Sequence, residues 1–200
     1  MEEFKYYVVY KPYNMLSQFT SQLGKKTLAD IPFNFPKEVY AVGRIDEDSE
    51  GILILTDDKT LNNKLLNPKY EHYRTYLAQV EGIATIEATK LLEKGVEISV
   101  EGKKYFTKKA KVEIIEDPEN LPERSIPIRF RKNVPTSWIK LSIIEGKNRQ
   151  VRKMTAAVGL PTLRLIRTKI EDLELAQLKN GFVEDVDRET IYKLLKIKQL

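Results

Sequence analysis

A short apolar run directly after an acidic loop constrains the fold more than any other stretch. Ile52 to Leu55 is rich in β-branched residues and is bounded by Gly51 and by Thr56-Asp57-Asp58. This length and composition predict a strand buried in the core. Val39 to Val42 predicts a second strand, so Gly43 to Gly51 becomes a loop anchored on two core elements. Such a loop fixes side chains while leaving them accessible to a ligand.

The acidic loop allows three interpretations. Arg44 and Asp46 are two residues apart and would project from the same side of an extended backbone. A carboxylate fixed beside an arginine stays ionised and can act as a nucleophile or a base. Alternatively, the spacing of Asp46, Asp48 and Glu50 imitates the first half of an EF-hand calcium loop, although Asp57 takes the place of its final glutamate. The third interpretation is a solvated acidic turn.

Composition restricts the chemistry of any active site. The chain has 200 residues, no cysteine and a single histidine, His72, which excludes disulfides, thiolate chemistry and multi-histidine metal sites. Catalysis must therefore use carboxylates, tyrosine, lysine or arginine. We expect no metal and no cofactor. No apolar run approaches the roughly 18 residues of a membrane span, and no signal peptide is evident, so we expect a cytoplasmic protein without membrane contact.

The charges are distributed unevenly along the chain. The segment from Arg124 to Lys169 contains twelve basic residues and one acidic residue, Glu145, whereas the whole chain has a net charge of +5. The remainder of the chain is therefore acidic. A basic block on an otherwise acidic protein predicts a polyanionic partner, most often a nucleic acid.

The order of predicted elements indicates an α+β fold around a largely antiparallel sheet. Hydrophobic patterns and turn residues predict strands over 4–11, 73–81, 96–100, 104–107, 110–115, 137–144 and 161–169, with weaker ones over 173–178 and 181–186. Helices are predicted over 59–66, 86–94, 149–158 and 188–195. The Pro-rich segment 117–135 is predicted to be a long loop, a feature that is often functional.

A second informative stretch runs from Gly146 to Met154. Asn148 is predicted to cap a helix that ends near Val158. Its apolar and basic faces consist of Val151, Met154 and Val158, and of Arg149, Arg152 and Lys153, respectively. An ordinary solvated basic face would explain this pattern. However, the helix macrodipole disfavours cations near the N-terminus, so the arrangement also suggests an anionic partner such as phosphate or Asp46.

Several motifs together resemble one enzyme family along nearly the whole chain. They are Lys11-Pro12 with Leu16 to Thr20, Gly43 to Thr56, Arg74-Thr75-Tyr76, and Gly146 to Arg152. In this order they are similar to the RsuA-like branch of the pseudouridine synthases. Within that branch the chain is most similar to the RluE-type synthases of large-subunit ribosomal RNA, through Pro127-Ile128-Arg129, Pro135 to Trp138, and Pro161 to Arg167.

The resemblance implies both a fold and an activity. The expected fold is an α+β pseudouridine synthase catalytic domain over residues 1–200, with a largely antiparallel mixed sheet flanked by helices and two lobes around a central RNA-binding cleft. The S4-type RNA-binding module that many relatives carry is not expected. The implied activity is site-specific isomerisation of uridine to pseudouridine in 23S ribosomal RNA, free or in a pre-ribosomal large-subunit particle, by a monomer. The alternative is a non-catalytic RNA-binding or ribosome-assembly factor.

The family's residue roles transfer to matching positions. Asp46 would be the catalytic aspartate, attacking the uracil ring or ribose C1′. Arg44 would fill the gap that the target uridine leaves in the RNA stack, and Tyr76 would stack on the flipped uracil and serve in the later proton removal. Arg152 would pair with Asp46 and keep it ionised. The remaining predicted RNA contacts are Arg131, Lys147, Asn148, Arg149, Gln150, Lys153, Arg164 and Arg167.

Overall fold

A nine-stranded sheet organises the computed structural model, which describes residues 4–128 and 134–198. The strands are β1 (Tyr6–Lys11), β2 (Tyr40–Ala41), β3 (Glu50–Thr56), β4 (Arg74–Glu81), β5 (Glu97–Val100), β6 (Lys103–Phe106), β7 (Lys111–Ile115), β8 (Thr136–Ile143), β9 (Thr162–Ile170), β10 (Leu173–Glu174) and β11 (Val183–Asp185). The helices are α1 (Lys59–Leu66), α2 (Ile86–Lys94), α3 (Gln150–Ala157) and α4 (Arg188–Leu194). Two short 3₁₀ helices cover Leu28–Asp30 and Pro68–Tyr70.

The strand order across the large sheet is β11-β1-β3-β9-β4-β8-β7, with β2 beside β3 and β10 beside β9. Every described pair in this sheet is antiparallel except β3 with β9. Strands β5 and β6, which correspond to the predicted strands 96–100 and 104–107, pair as a hairpin in a separate two-stranded sheet. The predicted α+β class with a largely antiparallel mixed sheet is confirmed.

Strands β1 and β3 are buried on both faces. Tyr6, Val8 and Tyr10 belong to one core cluster, while the alternating Tyr7 and Val9 belong to another. Helices α1 and α4 cover the first face through Leu61, Leu65, Ile191 and Leu195. Burial on both faces explains why these strands are continuously apolar instead of alternating. The prediction of a buried strand at Ile52 to Leu55 is confirmed, since all four residues are 0% exposed.

The other half of the sheet has a separate core. Ile139, Leu141 and Ile143 of β8 lie in one cluster with Val151 and Met154 of α3, as the alternation predicted. Strand β9 lies between the two halves, and its opposite faces join different cores. Residues 166 and 170 pack with the β1–β3 core, which extends to Trp138 of β8, and residue 165 packs with the β4–β8 core. The two halves therefore correspond to the two predicted lobes, joined by β9.

Helix α3 begins differently from the prediction. Asn148 was expected to be its cap, but the helix starts at Gln150 and its N-cap residue is Arg149, in the left-handed region at φ 52°. The buried Gln150 amide closes the turn instead: its Oε1 accepts from the Lys147 N–H at 2.9 Å, and its Nε2 donates to Glu145 Oε1 at 2.6 Å. The Asn148 cap prediction is therefore wrong.

Candidate active site

A cavity of about 520 Å³ lies beside β9, between the two halves of the sheet. Its walls are the acidic loop, strand β4 and the segment that leads into α3. Eight of the predicted site residues line it: Arg44, Asp46, Tyr76, Lys147, Asn148, Arg149, Gln150 and Arg167. The structure thus brings together residues more than 100 positions apart in the sequence. Arg131 lies outside the described residues.

The backbone around Asp46 is held by hydrogen bonds on both sides. The Ser17 hydroxyl donates to the Ile45 carbonyl at 2.8 Å, and Ser17 Oγ accepts from the Ile45 N–H at 3.1 Å. The Ser49 N–H donates to the Asp46 carbonyl at 3.0 Å, closing a turn. The Asp46 side chain itself is 31% exposed. The loop therefore fixes the position of this carboxylate and leaves it accessible from the cavity.

Gly51 explains why the acidic loop can pass so close to β9. It has φ +107°, and a Cβ atom there would lie 2.1 Å from the carbonyl oxygen of Arg167. Only glycine fits this approach without moving the backbone. The parallel pairing of β3 with β9, which brings the loop beside the cavity, therefore depends on this residue.

Lys11 is a structural anchor of the site that the sequence analysis noted only as part of a motif. Its ammonium is fully buried and donates to the carbonyl oxygens of Pro12 at 2.9 Å, Met15 at 2.7 Å and Glu47 at 3.4 Å. It therefore joins the segment after β1 to the acidic loop. Burial lowers the pKa of Lys11 to about 7, although the carboxylates of Glu50 and Asp48 act in the opposite direction.

The pKa of Lys11 predicts a pH dependence of stability. Because this pKa lies below the ordinary 10.5 of lysine, the unfolded chain binds more protons than the folded chain between about pH 7 and pH 10. The free energy of unfolding therefore rises with pH between about pH 7 and pH 10. Below about pH 7 Lys11 is charged in the folded protein, and the full cost of burying the ammonium lowers stability. From the difference in bound protons, the contribution of Lys11 to the free energy of unfolding is expected to rise by about 2 kcal/mol from pH 7 to pH 9.

Lys11→Met removes this titrating group. We expect the free energy of unfolding of the parent, minus that of the variant, to grow by about 2 kcal/mol from pH 7 to pH 9. Urea denaturation at pH 7, 8 and 9 measures this difference. A difference that stays constant would mean that the three carbonyl oxygens keep the buried ammonium charged throughout.

Two arginines of the basic segment contact the acidic loop at Asp48. Arg149 donates from Nη1 and Nη2 to the two Asp48 carboxylate oxygens, at 2.9 and 2.7 Å. Arg152 donates from Nη2 to the Asp48 carbonyl at 2.6 Å, and its Nε lies 3.4 Å from Asp48 Oδ2. Asp46 has a longer contact, with Arg149 Nη1 4.0 Å from its Oδ2.

The predicted ion pair between Arg152 and Asp46 is therefore not the one that forms. The Arg152 guanidinium is fixed by two carbonyl oxygens, those of Asp48 and of Thr162, the latter at 3.2 Å. These contacts hold it against Asp48. Burial by itself raises the pKa of the Asp48 carboxyl, but hydrogen bonds from Arg149 and the charge of Arg152 outweigh it, so this pKa lies below its ordinary value.

The calcium interpretation loses two of its three carboxylates in this arrangement. Asp48 is engaged by Arg149, and Glu50 is 1% exposed and engaged by Arg164. Among the described residues, no group of three or more His, Asp or Glu side chains is arranged to hold a metal ion. Asp48 and Glu50 instead form ion pairs with arginines of the basic block.

Three predicted RNA contacts are buried. Arg164 forms two hydrogen bonds with Glu50, from Nε at 2.9 Å and from Nη2 at 2.8 Å, and so fastens β9 to the base of the acidic loop. The Gln150 amide is used within its own turn. Both side chains have a structural role, and their contact with RNA stays a prediction. Arg167 donates from Nε to the Ile52 carbonyl at 2.8 Å, yet it also lines the cavity, so its contact with RNA stays a prediction.

The remaining predicted RNA contacts are accessible. Arg44, Lys147, Asn148 and Arg149 are exposed, and Lys153 is partly exposed beside Asn148. Tyr76 is half-buried on β4, between β8 and β9, and lines the same cavity as Asp46. An accessible carboxylate, a tyrosine and a basic rim are suited to a nucleotide taken out of an RNA strand.

Comparison with known proteins identifies the class to which this fold and cavity belong. The sequence model of the RNA pseudouridylate synthase family matches residues 5–157, and the chain belongs to that family. A solved structure described as a pseudouridylate synthase superposes with a TM-score of 0.77 at 28% identity, covering 97% of this chain and 75% of the other. The predicted family, fold and class of activity, isomerisation of uridine in RNA, are confirmed.

Among the relatives are enzymes named for the large ribosomal subunit. Ribosomal large subunit pseudouridine synthase E of Vibrio vulnificus is 50% identical over 182 residues, which cover 90% of this chain and 74% of that protein. The protein of the same name from Xanthomonas axonopodis pv. citri is 48% identical over 84% of this chain and 86% of its own length. Ribosomal large subunit pseudouridine synthase B of Bacillus subtilis is 35% identical over 96% of this chain and 72% of its own.

No helix within residues 4–128 and 134–198 is long and apolar enough to cross a membrane.

Proposed function

We propose that this protein converts a specific uridine of large-subunit (23S) ribosomal RNA into pseudouridine, with Asp46 as the nucleophile. The observation that carries the proposal is the single cavity that brings Asp46 and Tyr76 together with the basic segment Lys147 to Arg149. The names of the most similar relatives support the choice of large-subunit RNA. The protein acts as a catalytic domain spanning residues 1–200.

The reaction follows from the positions of these residues. The target uridine leaves the RNA stack at a cost of a few kcal/mol, and Arg44, exposed at the rim, fills the gap. Tyr76 stacks on the extruded uracil. The Asp46 carboxylate attacks ribose C1′ or the uracil ring, and the N1–C1′ bond breaks. The uracil rotates, its C5 bonds to C1′, and the bond to the Asp46 carboxylate breaks, which regenerates the free aspartate. The C5 proton is lost, a step in which Tyr76 assists, and N1 takes up a proton.

The chemistry suits the residue types available. One C–N bond is exchanged for one C–C bond and one proton moves, with no net oxidation or reduction. Carboxylate, phenol and guanidinium groups suffice for these steps, so we propose that no metal or cofactor takes part. All the named groups come from one chain, so the proposal includes activity as a monomer. Its setting is the cytoplasm, where bacterial ribosomes assemble, and its substrate is either free RNA or a pre-ribosomal particle.

Release of tritium from ribosomal RNA labelled at uracil C5 tests the proposal. The pure protein should release tritium in proportion to the pseudouridine formed, because the C5 hydrogen is lost when C5 bonds to the ribose. Adding EDTA should leave the release unchanged, and a loss on its addition would restore the metal interpretation. RNA binding without tritium release, from free RNA and from pre-ribosomal particles alike, would identify a non-catalytic RNA-binding or assembly factor.

A further inference from the structure

A second cluster of cations lies outside the segment from Arg124 to Lys169. Residues 103–111 contain five lysines and no acidic residue, although the chain outside the basic block is acidic overall. The lysines are Lys103, Lys104, Lys108, Lys109 and Lys111, and all five are exposed. They occupy β6, the segment after it and the start of β7. We call these five residues the hairpin lysines.

The hairpin of β5 and β6 is fastened to the rim of the active-site cavity. The Tyr105 hydroxyl donates to Glu145 Oε2 at 2.6 Å, and the Lys108 N–H donates to Glu145 Oε1 at 2.8 Å. The Lys147 ammonium lies 4.9 Å from the centroid of the Tyr105 ring. Tyr105 and Lys108 line the cavity that contains Asp46. The hairpin therefore continues the basic rim of the site outward.

Strand geometry places Lys103 on the same face as Tyr105. Side chains two residues apart in a strand project from one face, so Lys103 extends the wall that Tyr105 forms, roughly 7 Å farther from the cavity. At the other end, Lys109 follows directly after Lys108 of the cavity wall. A strand of RNA leaving the cavity along the hairpin would therefore pass Lys103 at the start of β6 or Lys109, three residues beyond its end.

The hairpin lysines differ in how far their charge is already compensated. The Lys104 ammonium lies 3.0 Å from Glu97 Oε1, and the Lys108 ammonium lies 2.6 Å from Glu71 Oε1. In contrast, neither Lys103 nor Lys109 has a carboxylate within ion-pair distance among residues 4–128 and 134–198. Uncompensated cations beside the basic rim of the cavity favour an anionic partner.

We propose that this face of the hairpin, through Lys103 and Lys109, binds the sugar-phosphate backbone of the RNA strand that leaves the cavity. The identity of the ligand rests on the proposed function, because the same lysines would accept any polyphosphate. The surface lengthens the RNA interface beyond the α3 segment and contributes affinity through phosphate contacts that are independent of sequence.

Lys103→Gln combined with Lys109→Gln tests this surface. The matched control is Lys90→Gln combined with Lys94→Gln, which removes the same charge from exposed positions on α2. Binding to transcribed 23S ribosomal RNA is measured between 50 and 200 mM salt. Two lost phosphate contacts should flatten the slope of log K against log salt by roughly 1.4, so the ratio of parent to variant affinity falls about sevenfold across that range. The control should keep the parent slope.

Each other outcome overturns the inference. Equal slopes for the two double variants would show that the hairpin lysines are ordinary solvated cations. A loss of affinity confined to pre-ribosomal particles, with unchanged binding to naked RNA, would identify a protein partner. Thermal unfolding of both variants verifies that the hairpin remains folded. Tritium release by the parent is measured in parallel, so a failure of the proposed function is seen in the parent and a failure of the hairpin surface only in the slopes.

Discussion

Asp46→Asn is expected to reduce pseudouridine formation by at least about 10⁴-fold, because the amide cannot attack the nucleotide as a carboxylate does. The substitution keeps the size of the side chain. The Asp46 side chain is 31% exposed, and its ion pair with Arg149 is long, with Nη1 and Oδ2 4.0 Å apart. We therefore expect the free energy of unfolding to change by less than about 1 kcal/mol, and RNA affinity to stay close to that of the parent. Tritium release under single-turnover conditions measures the chemical step.

The matched control is Glu47→Gln, which also removes one carboxylate from the acidic loop. Glu47 pairs with Lys25 at 2.6 Å on the protein surface and does not line the cavity. Its loss should leave turnover within a few-fold of the parent, since exposed ion pairs contribute little. Turnover of Asp46→Asn within tenfold of the parent would remove Asp46 from the catalytic role and leave the cavity as an RNA-binding site only.

Features with local signals were the ones the sequence could predict. Ile52 to Leu55 is a buried strand because its composition permits little else, and α1 (Lys59–Leu66) covers the helix predicted over 59–66. Both depend on residues within a few positions of each other. The approach of Asp46 to the α3 segment is not local. The basic face of the predicted helix suggested Asp46 as one of two anionic partners, and the family resemblance, which carries the tertiary arrangement with it, selected between them.

Features decided by tertiary contacts were not predicted correctly. The left-handed conformation of Arg149 and the buried amide of Gln150 together replace the expected Asn148 cap. Arg164 is drawn into the protein because the buried Glu50 needs a cation, and a burial of this kind has no signal within β9 itself. Lys11 had a faint signal, a lysine at the end of an apolar strand, but nothing in its neighbourhood indicated three carbonyl partners.

The basic block is consequently smaller as an RNA surface than its charge suggests. Arg164 and Arg167 are at most 8% exposed, and the Arg124 side chain, also 8% exposed, lies 3.8 Å from Glu50 and 3.6 Å over the Tyr13 ring. These arginines balance buried carboxylates or bind carbonyl oxygens, as Arg152 does. Sequence charge therefore overstates the number of phosphates that the block can neutralise. The proposed hairpin surface would add exposed lysines from the part of the chain that is acidic overall.

Arg152→Ala is expected to lower turnover at saturating RNA by about 100-fold or more. Arg152 is 12% exposed and links the start of α3 to the acidic loop through the Asp48 carbonyl and carboxylate. Without Arg152 the carbonyl oxygens of Asp48 and Thr162 lose their donor and Asp48 loses one of its two cations, and the loss would fall on the loop that positions Asp46. Single-turnover rates at saturating RNA separate this effect from any change in RNA affinity.

Two companion variants decide how Arg152 acts. Asp48→Asn removes the carboxylate charge that Arg152 and Arg149 now share. If Arg152 works through Asp48, Asp48→Asn should lose turnover to a similar extent. Arg152→Lys should recover little, because an ammonium lacks the planar fork of donors that spans Asp48 and Thr162. If RNA instead moves Arg152 onto Asp46, as the family resemblance implied, Asp48→Asn should stay within about tenfold of the parent while Arg152→Ala remains impaired. Full recovery of Arg152→Ala at saturating RNA would contradict both mechanisms, because the arginine would then serve only as a phosphate contact.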